Sequence, residues 1–339
     1  MEVTINSFEE YISEIFKIQQ SNEKYNNDEI VLFHKGLSFR GQSDKSYQLI
    51  PSIGRNRKAE CQSSIFDQER GLIETAKYKL PHIFPNDMPP IDLLATLQHY
   101  GIPTRLLDVT YNPLAALYFA TSNDEKDGEV IVFEYFDQFK THEYYSFINA
   151  IAETYKFTNI EYIPLSSFYD IAVQQTYFEK NICMLLDQAN YEAGLTINGE
   201  KMDGGDLIKD FCERLIFVNS TEQLERQKNQ QGFYILFPNF IRKCGDSFYF
   251  TKIIQPINKN NKDIKRRIII KKEAKEIIRK QLNFIGVSEY TLFSDNIDIV
   301  CRGIVDGFKN YSRLLPQYKI EVFEKSKNSE NKGKDDEQS

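Results

Sequence analysis

No segment of this 339-residue chain carries the phosphate-binding signature G-x-x-x-x-G-K-S/T, the dinucleotide signature G-x-G-x-x-G, the nucleophile elbow G-x-S-x-G or the zinc-protease signature H-E-x-x-H. Their absence argues against P-loop NTPases, Rossmann dehydrogenases, α/β-hydrolases and zincins. Histidine is scarce: His34, His82, His99 and His142 stand singly, as do Cys61, Cys183, Cys212, Cys244 and Cys301, with no C-x-x-C spacing. No metal site is expected from them. An odd number of scattered cysteines fits a reduced compartment. No apolar run approaches the length that crosses a bilayer, and the N-terminus MEVTINSFEEYISEIFKIQQ is acidic where a signal peptide starts basic. The expectation is a cytoplasmic protein with no membrane contact. Tryptophan is absent, from which nothing functional follows. The formal net charge of -7 argues against general attraction to nucleic acid or anionic membrane.

What the chain does contain is one dense polar stretch, Leu97 to Ala120, LQHYGIPTRLLDVTYNPLAALYFA. His99, Arg105, Asp108, Thr110 and Asn112 fall in a turn between two apolar segments. Asn112-Pro113 opens a helix, with Leu114, Leu117 and Tyr118 at helical spacing. A helix start exposes unpaired N–H groups and a partial positive charge, so it suits a phosphate or another anion.

Around this stretch the pattern predicts a helix over Ser7 to Gln20 with Ser7 as N-cap, then a loop, and a strand over Val31 to Phe39. Helices follow over Asp67 to Tyr78 and Ile91 to His99, and strands over Glu129 to Phe136, Phe233 to Phe237 and Arg267 to Ile270. The last runs into a helix over Glu273 to Phe284. Helical stretches and a glycine turn at Asp203-Gly204-Gly205 are expected between Thr141 and Asp210, and a disordered polar tail from Lys325. Strands and helices without a regular βαβ rhythm give an α+β class, with a curved mixed or antiparallel sheet and helices around it. The expected organisation is an N-terminal helix and loop (1–30), one main domain (31–308) and a C-terminal extension with a tail (309–339).

Three polar clusters lie at strand edges: Phe39-Arg40-Gly41, the stretch above, and Arg226 to Phe233, RQKNQQGF. Arginine offers a planar fork of donors for phosphate or carboxylate, and a following glycine permits close approach to the backbone. Arg40 suits equally a structural pairing with a carboxylate such as Asp108, and Asp108 a pairing with Arg105 or a helix cap. His99 reads either as a general base or as a hydrogen-bonded core residue. Lys259 to Lys280 holds ten basic residues against three acidic ones. That segment is open to nucleic-acid contact or to a role as a solvated strand-helix surface.

The order FRG, LQHYGIPTRLLDVTYNPLAALYFA, R-x-x-x-Q-Q-G and IGVSEYTLF, from Phe39 to about Gly303, resembles the FRG domain family, named for its Phe-Arg-Gly motif. The resemblance implies a bacterial protein of the toxin or phage-defence kind. A weaker resemblance is to ADP-ribosyltransferases of the Arg-Ser-Glu type, and it implies that fold and NAD as substrate. On it, Phe39-Arg40-Gly41 takes the first place and Asp108-Val109-Thr110 the second, ahead of Ala116-Leu117-Tyr118-Phe119-Ala120. Gln230 or Gln231 stands at the third place, where those enzymes have Glu. The resemblance implies that Arg40, Gly41, Arg105, Thr110, Asn112 and Arg226 bind the dinucleotide, with Thr110 at the nicotinamide end. His99, Asp108, Gln230 and Gln231 would then carry the chemistry, Asp108 supplying charge and His99 serving the acceptor as base. It further implies a macromolecular acceptor and an antitoxin or regulatory partner. The alternatives are a noncatalytic nucleotide- or ligand-sensing module and an RNA- or DNA-binding protein or nuclease.

Overall fold

The computed structural model describes residues 2–27, 35–55, 69–136, 148–149, 151–157, 162–164, 209, 212–221, 225–244, 247–251 and 253–293. Residues up to Val287 form one compact unit. Of a second, the described part is one turn of helix, Glu289–Leu292, opened by a capping box between Ser288 and Thr291.

Ten strands are described: β1 (Glu2–Ile5), β2 (Lys35–Gln42), β3 (Leu106–Thr110), β4 (Gly128–Phe136), β5 (Tyr162–Pro164), β6 (Ile216–Val218), β7 (Gly232–Leu236), β8 (Ile241–Cys244), β9 (Ser247–Thr251) and β10 (Ile264–Ile270). Seven form a mixed sheet in the order β1-β10-β4-β2-β3-β7-β6, and β5-β9-β8 form a small second sheet. In the large sheet β1 runs parallel to β10 and the other pairings are antiparallel. The class is α+β with a mixed sheet and helices, as the sequence pattern implies. No described helix is long and apolar enough to cross a membrane.

Alternation along the strands sorts their side chains to two faces. On one face, α1 (Phe8–Asn26), α4 (Pro113–Ala120) and α6 (Lys272–Phe284) cover β10, β4 and β2 through a cluster including Tyr11, Phe39, Leu117, Val130, Val132 and Ile268. On the same face, α2 (Glu69–Lys79) and α3 (Pro90–His99) belong to a second cluster with Leu106, Ile216 and Leu236. The opposite face, with Leu107, Val109, Ile131, Phe133 and Phe233, is covered by Leu49, Ile50 and Ile53.

Local chemistry accounts for the element ends. Ser7 Oγ caps α1 by accepting from Glu10 N–H at 3.2 Å, and Glu10 accepts in turn from Asn6 N–H at 2.7 Å. The helix runs on to Asn26, beyond the Gln20 expected, because Asn22 and Asn26 donate to the Lys35 carbonyl at 2.8 and 2.9 Å. Tertiary bonds to β2 thus override a polar, loop-like composition. Asn112 caps α4 through bonds from Leu114 and Ala115 N–H, with Pro113 at its first turn. The segment read as a turn after Arg105 contains β3, whose Leu106 and Leu107 are buried on opposite faces and so hide the strand's alternation. The tail beyond Lys325 and most of Thr141 to Asp210, including the Asp203-Gly204-Gly205 turn, lie outside the described residues.

The third residue of Phe39-Arg40-Gly41 is glycine because α4 lies directly on it. A Cβ at Gly41 would stand 1.8 Å from the Ala116 carbonyl oxygen, and one at Gly128 2.0 Å from that of Ala120. Both obstacles are backbone, so neither yields easily. Gly41→Ala is expected to lower unfolding stability in urea by at least ~3 kcal/mol or to prevent folding; an unchanged midpoint would contradict this packing.

Candidate functional site

β2 pairs with β4 over its whole length, Lys35 to Gln42, but with β3 only at Phe39 opposite Thr110. Where the two strands part, a cleft of about 390 Å³ opens, a size suited to a small organic ligand. It is lined from β2 by Phe39, Arg40 and Gly41, from β3 by Asp108 and Thr110, and from the end of α3 by Gln98 and His99. Helix α5 (Glu225–Gln230) adds Arg226, Gln227 and Gln230, the turn around Ser52 adds Ser52 and Arg55, and α4 adds Phe119.

The structure therefore brings seven of the expected residues to one cavity: Arg40, Gly41, His99, Asp108, Thr110, Arg226 and Gln230. Three others stand elsewhere. Arg105 is fully buried in an ion pair with Glu69, with Nε donating to Glu69 Oε1 at 2.8 Å and Nη2 to Oε2, while Nη1 donates to Asn239 Oδ1 at 2.9 Å. It ties α2 to β3 and offers no group to a ligand. Asn112 spends its side-chain oxygen on the α4 cap. Gln231 sits in the turn between α5 and β7 with φ at 49°, and its backbone carbonyl accepts from Tyr111 N–H at 3.0 Å. Of the two glutamines at the third place, it is Gln230 that lines the cleft.

Arg40 crosses the gap. Its Nη1 donates to the backbone carbonyl of Asp108 at 2.5 Å, and its Nε is buried without a partner among the described residues. Burial lowers the guanidinium's pKa to about 10, opposed by Asp108 and aided by the nearby charge of Arg55. It therefore stays charged at neutral pH. Among the described residues the Arg55 guanidinium makes only long contacts, at 3.4 Å, to the Ile50 carbonyl. Among the described residues the lining holds three arginines, Arg40, Arg55 and Arg226, against one carboxylate, Asp108, so its balance favours an anion.

Asp108 is exposed on β3, and Gln98 Nε2 donates to its Oδ1 at 2.7 Å. Tyr234, opposite Asp108 in register, has its phenol pKa pushed well above the usual range by burial and by the Asp108 charge. Thr110 works on structure: its hydroxyl donates to the Gln230 carbonyl at 2.6 Å and accepts from Asn112 N–H at 2.8 Å. It fixes the end of α5 against β3, with its own proton already committed. His99 is half-buried, its ring edge-on to Tyr100 at 5.1 Å between centroids.

Arg55 escaped the sequence reading, and Gln98 and Gln227, though inside two of the polar clusters, carry no role of their own there. Gln98 stood inside an apolar helical segment directly before His99, and that interruption was its signal. Arg55 carried no comparable mark. Among the described residues no group of three or more His, Cys, Asp or Glu side chains could hold a metal ion.

The basic segment from Lys259 to Lys280 is matched by carboxylates of neighbouring elements. Lys259 and Arg267 pair with buried Glu129, Lys265 with Glu134 at 2.7 Å, Lys271 with Asp127 at 3.4 Å and Arg279 with Asp124 at 2.5 Å. Lys275 is itself buried and donates to the Ser43 and Asn123 carbonyls at 2.7 and 2.5 Å.

Replacing Arg105 with Met leaves Glu69 buried without its cation and is expected to cost about 3–5 kcal/mol of stability. Adding Glu69→Leu should recover part of that loss in the same unfolding measurement, whereas a single variant as stable as the wild type would refute the structural role of the pair. Residues 35–129 match the family model of the FRG domain. No curated protein and no solved structure matches the chain.

Proposed function

We propose that this FRG-domain protein binds a phosphate-bearing nucleotide, NAD foremost, between β2 and β3 and transfers its ADP-ribose unit to a macromolecular acceptor, as a toxin or phage-defence effector would. The observation that carries the reading is the convergence of Arg40, His99, Asp108 and Gln230, distant in sequence, on one arginine-rich cleft. The arginines supply donors for the phosphates. Asp108, the one carboxylate among the described lining residues, supplies negative charge where the ribosyl group becomes positive as the nicotinamide–ribose bond breaks. The bonding pair leaves with nicotinamide, the acceptor's nucleophile adds to the ribose carbon, and His99 takes the proton that the nucleophile gives up. Gln230 orients a hydroxyl.

A second reading, a noncatalytic nucleotide sensor, is favoured by one feature: the third place of the ADP-ribosyltransferase pattern is filled by the neutral amide of Gln230. It predicts binding without turnover. With labelled NAD and a cell extract, the transfer reading expects nicotinamide release by the wild type and a fall of about a hundredfold in Asp108→Asn. Arg40→Ala should weaken NAD binding at least ~tenfold in calorimetry. Binding with no release would select the sensor; neither binding nor release would overturn both readings.

A further inference from the structure

Asp108 is an unusual carboxylate for a cleft with three arginines. Arg40 bonds to its backbone carbonyl and not to its side chain, and among the described residues no cation pairs with the carboxylate. Among the described residues the one group that holds the carboxylate is the neutral side chain of Gln98, at 2.7 Å.

Gln98 is in turn held by Thr104, whose hydroxyl donates to Gln98 Oε1 at 2.5 Å and accepts from Leu106 N–H at 3.2 Å. The direction of this chain follows from donor inventory. A carboxylate only accepts, so the amide NH2 of Gln98 must face Asp108, its oxygen must face Thr104, and the Thr104 proton must point to Gln98. Thr104 is buried, so the relay is anchored at its far end. Two neutral side chains thereby fix one oxygen of an exposed carboxylate and leave Oδ2 without a partner among the described residues. A cation there would have cancelled the charge; an amide aims it without cancelling it.

We propose that Gln98, locked by Thr104, is a positioning residue that presents Asp108 Oδ2 to the hydroxyl donors of a ribosyl group, so that the cleft binds a ligand with phosphate and sugar together more tightly than phosphate alone. A phosphate repels Asp108, and a sugar hydroxyl is a donor that satisfies it. The phosphates therefore lie on the arginine side, and the ribosyl part lies against β3 and the end of α3. The proposal rests on the nucleotide reading above and adds to it which part of the ligand each wall recognises.

The test compares two probes by calorimetry, ADP-ribose and inorganic pyrophosphate, on the full chain. Wild type is expected to bind both. Gln98→Leu, Thr104→Val and Asp108→Ala should each weaken ADP-ribose about tenfold, the size of one charge-assisted hydrogen bond, and leave pyrophosphate unweakened. Combining Gln98→Leu with Asp108→Ala should weaken ADP-ribose no further than Asp108→Ala alone. Thr104→Ser, which keeps the hydroxyl, should restore wild-type affinity. ADP-ribose binding insensitive to Gln98→Leu, or equal losses for the two probes, would overturn this inference and leave the anion site standing. A wild type that binds neither probe would overturn the nucleotide reading and this inference with it.

Discussion

Everything at the cleft depends on how closely the backbone of α4 lies against β2 and β4. Gly41 and Gly128 have no Cβ, and Ala116 and Ala120 of the helix come down onto them within distances that no side chain would allow. That contact fixes the start of α4, where Asn112 caps the helix, and so fixes the end of β3 that leads into it. Thr110 then stands opposite Phe39, and beyond this single pair the two strands are free to part. The opening is the cleft. Within Phe39-Arg40-Gly41, the glycine thus serves the helix, while the arginine beside it serves the opening.

The electrostatics of the molecule separate along the same line. Over β10 and α6 the many lysines and arginines meet carboxylates of β4 and of the loop before it, so their charge is balanced within the fold. In the cleft the balance is left open on both sides. Arg40 and Arg55 lack a carboxylate partner among the described residues, and Asp108 lacks a cation. Keeping like charges near one another, with an Nε that is buried and has no partner among the described residues, costs stability that a structural arginine would not incur. Arg105 supplies the comparison within the same chain: fully buried, it is bonded on several sides and belongs to the core.

Much of this was legible in the sequence because the chemistry involved is local. The Asn112-Pro113 start of α4, the Ser7 cap, the strand at β4 and the strand-to-helix passage from β10 into α6 all follow from caps and periodicity. The convergence of Arg40, His99, Asp108 and Gln230 was approached through motif order alone. What stayed hidden depends on tertiary partners. Nothing local distinguishes Arg105, which is structural, from Arg40, which faces the cleft, because Glu69 and Asn239 reach Arg105 from distant segments. Likewise the four residues of β1 are too short a pattern to mark a strand until β10 pairs with them, and Gln98 looks like helix surface until Asp108 comes within hydrogen-bond reach.

The central claim is that the gap between β2 and β3 is a binding site for a nucleotide whose phosphates meet Arg40. It is tested most directly by following the arginine Nε–H resonances by NMR while ADP-ribose is added. The account predicts that the Arg40 Nε–H, buried and unpartnered among the described residues, shifts in a saturable way while that of Arg105 stays fixed. Saturable shifts confined to other regions, with Arg40 unmoved, would contradict it.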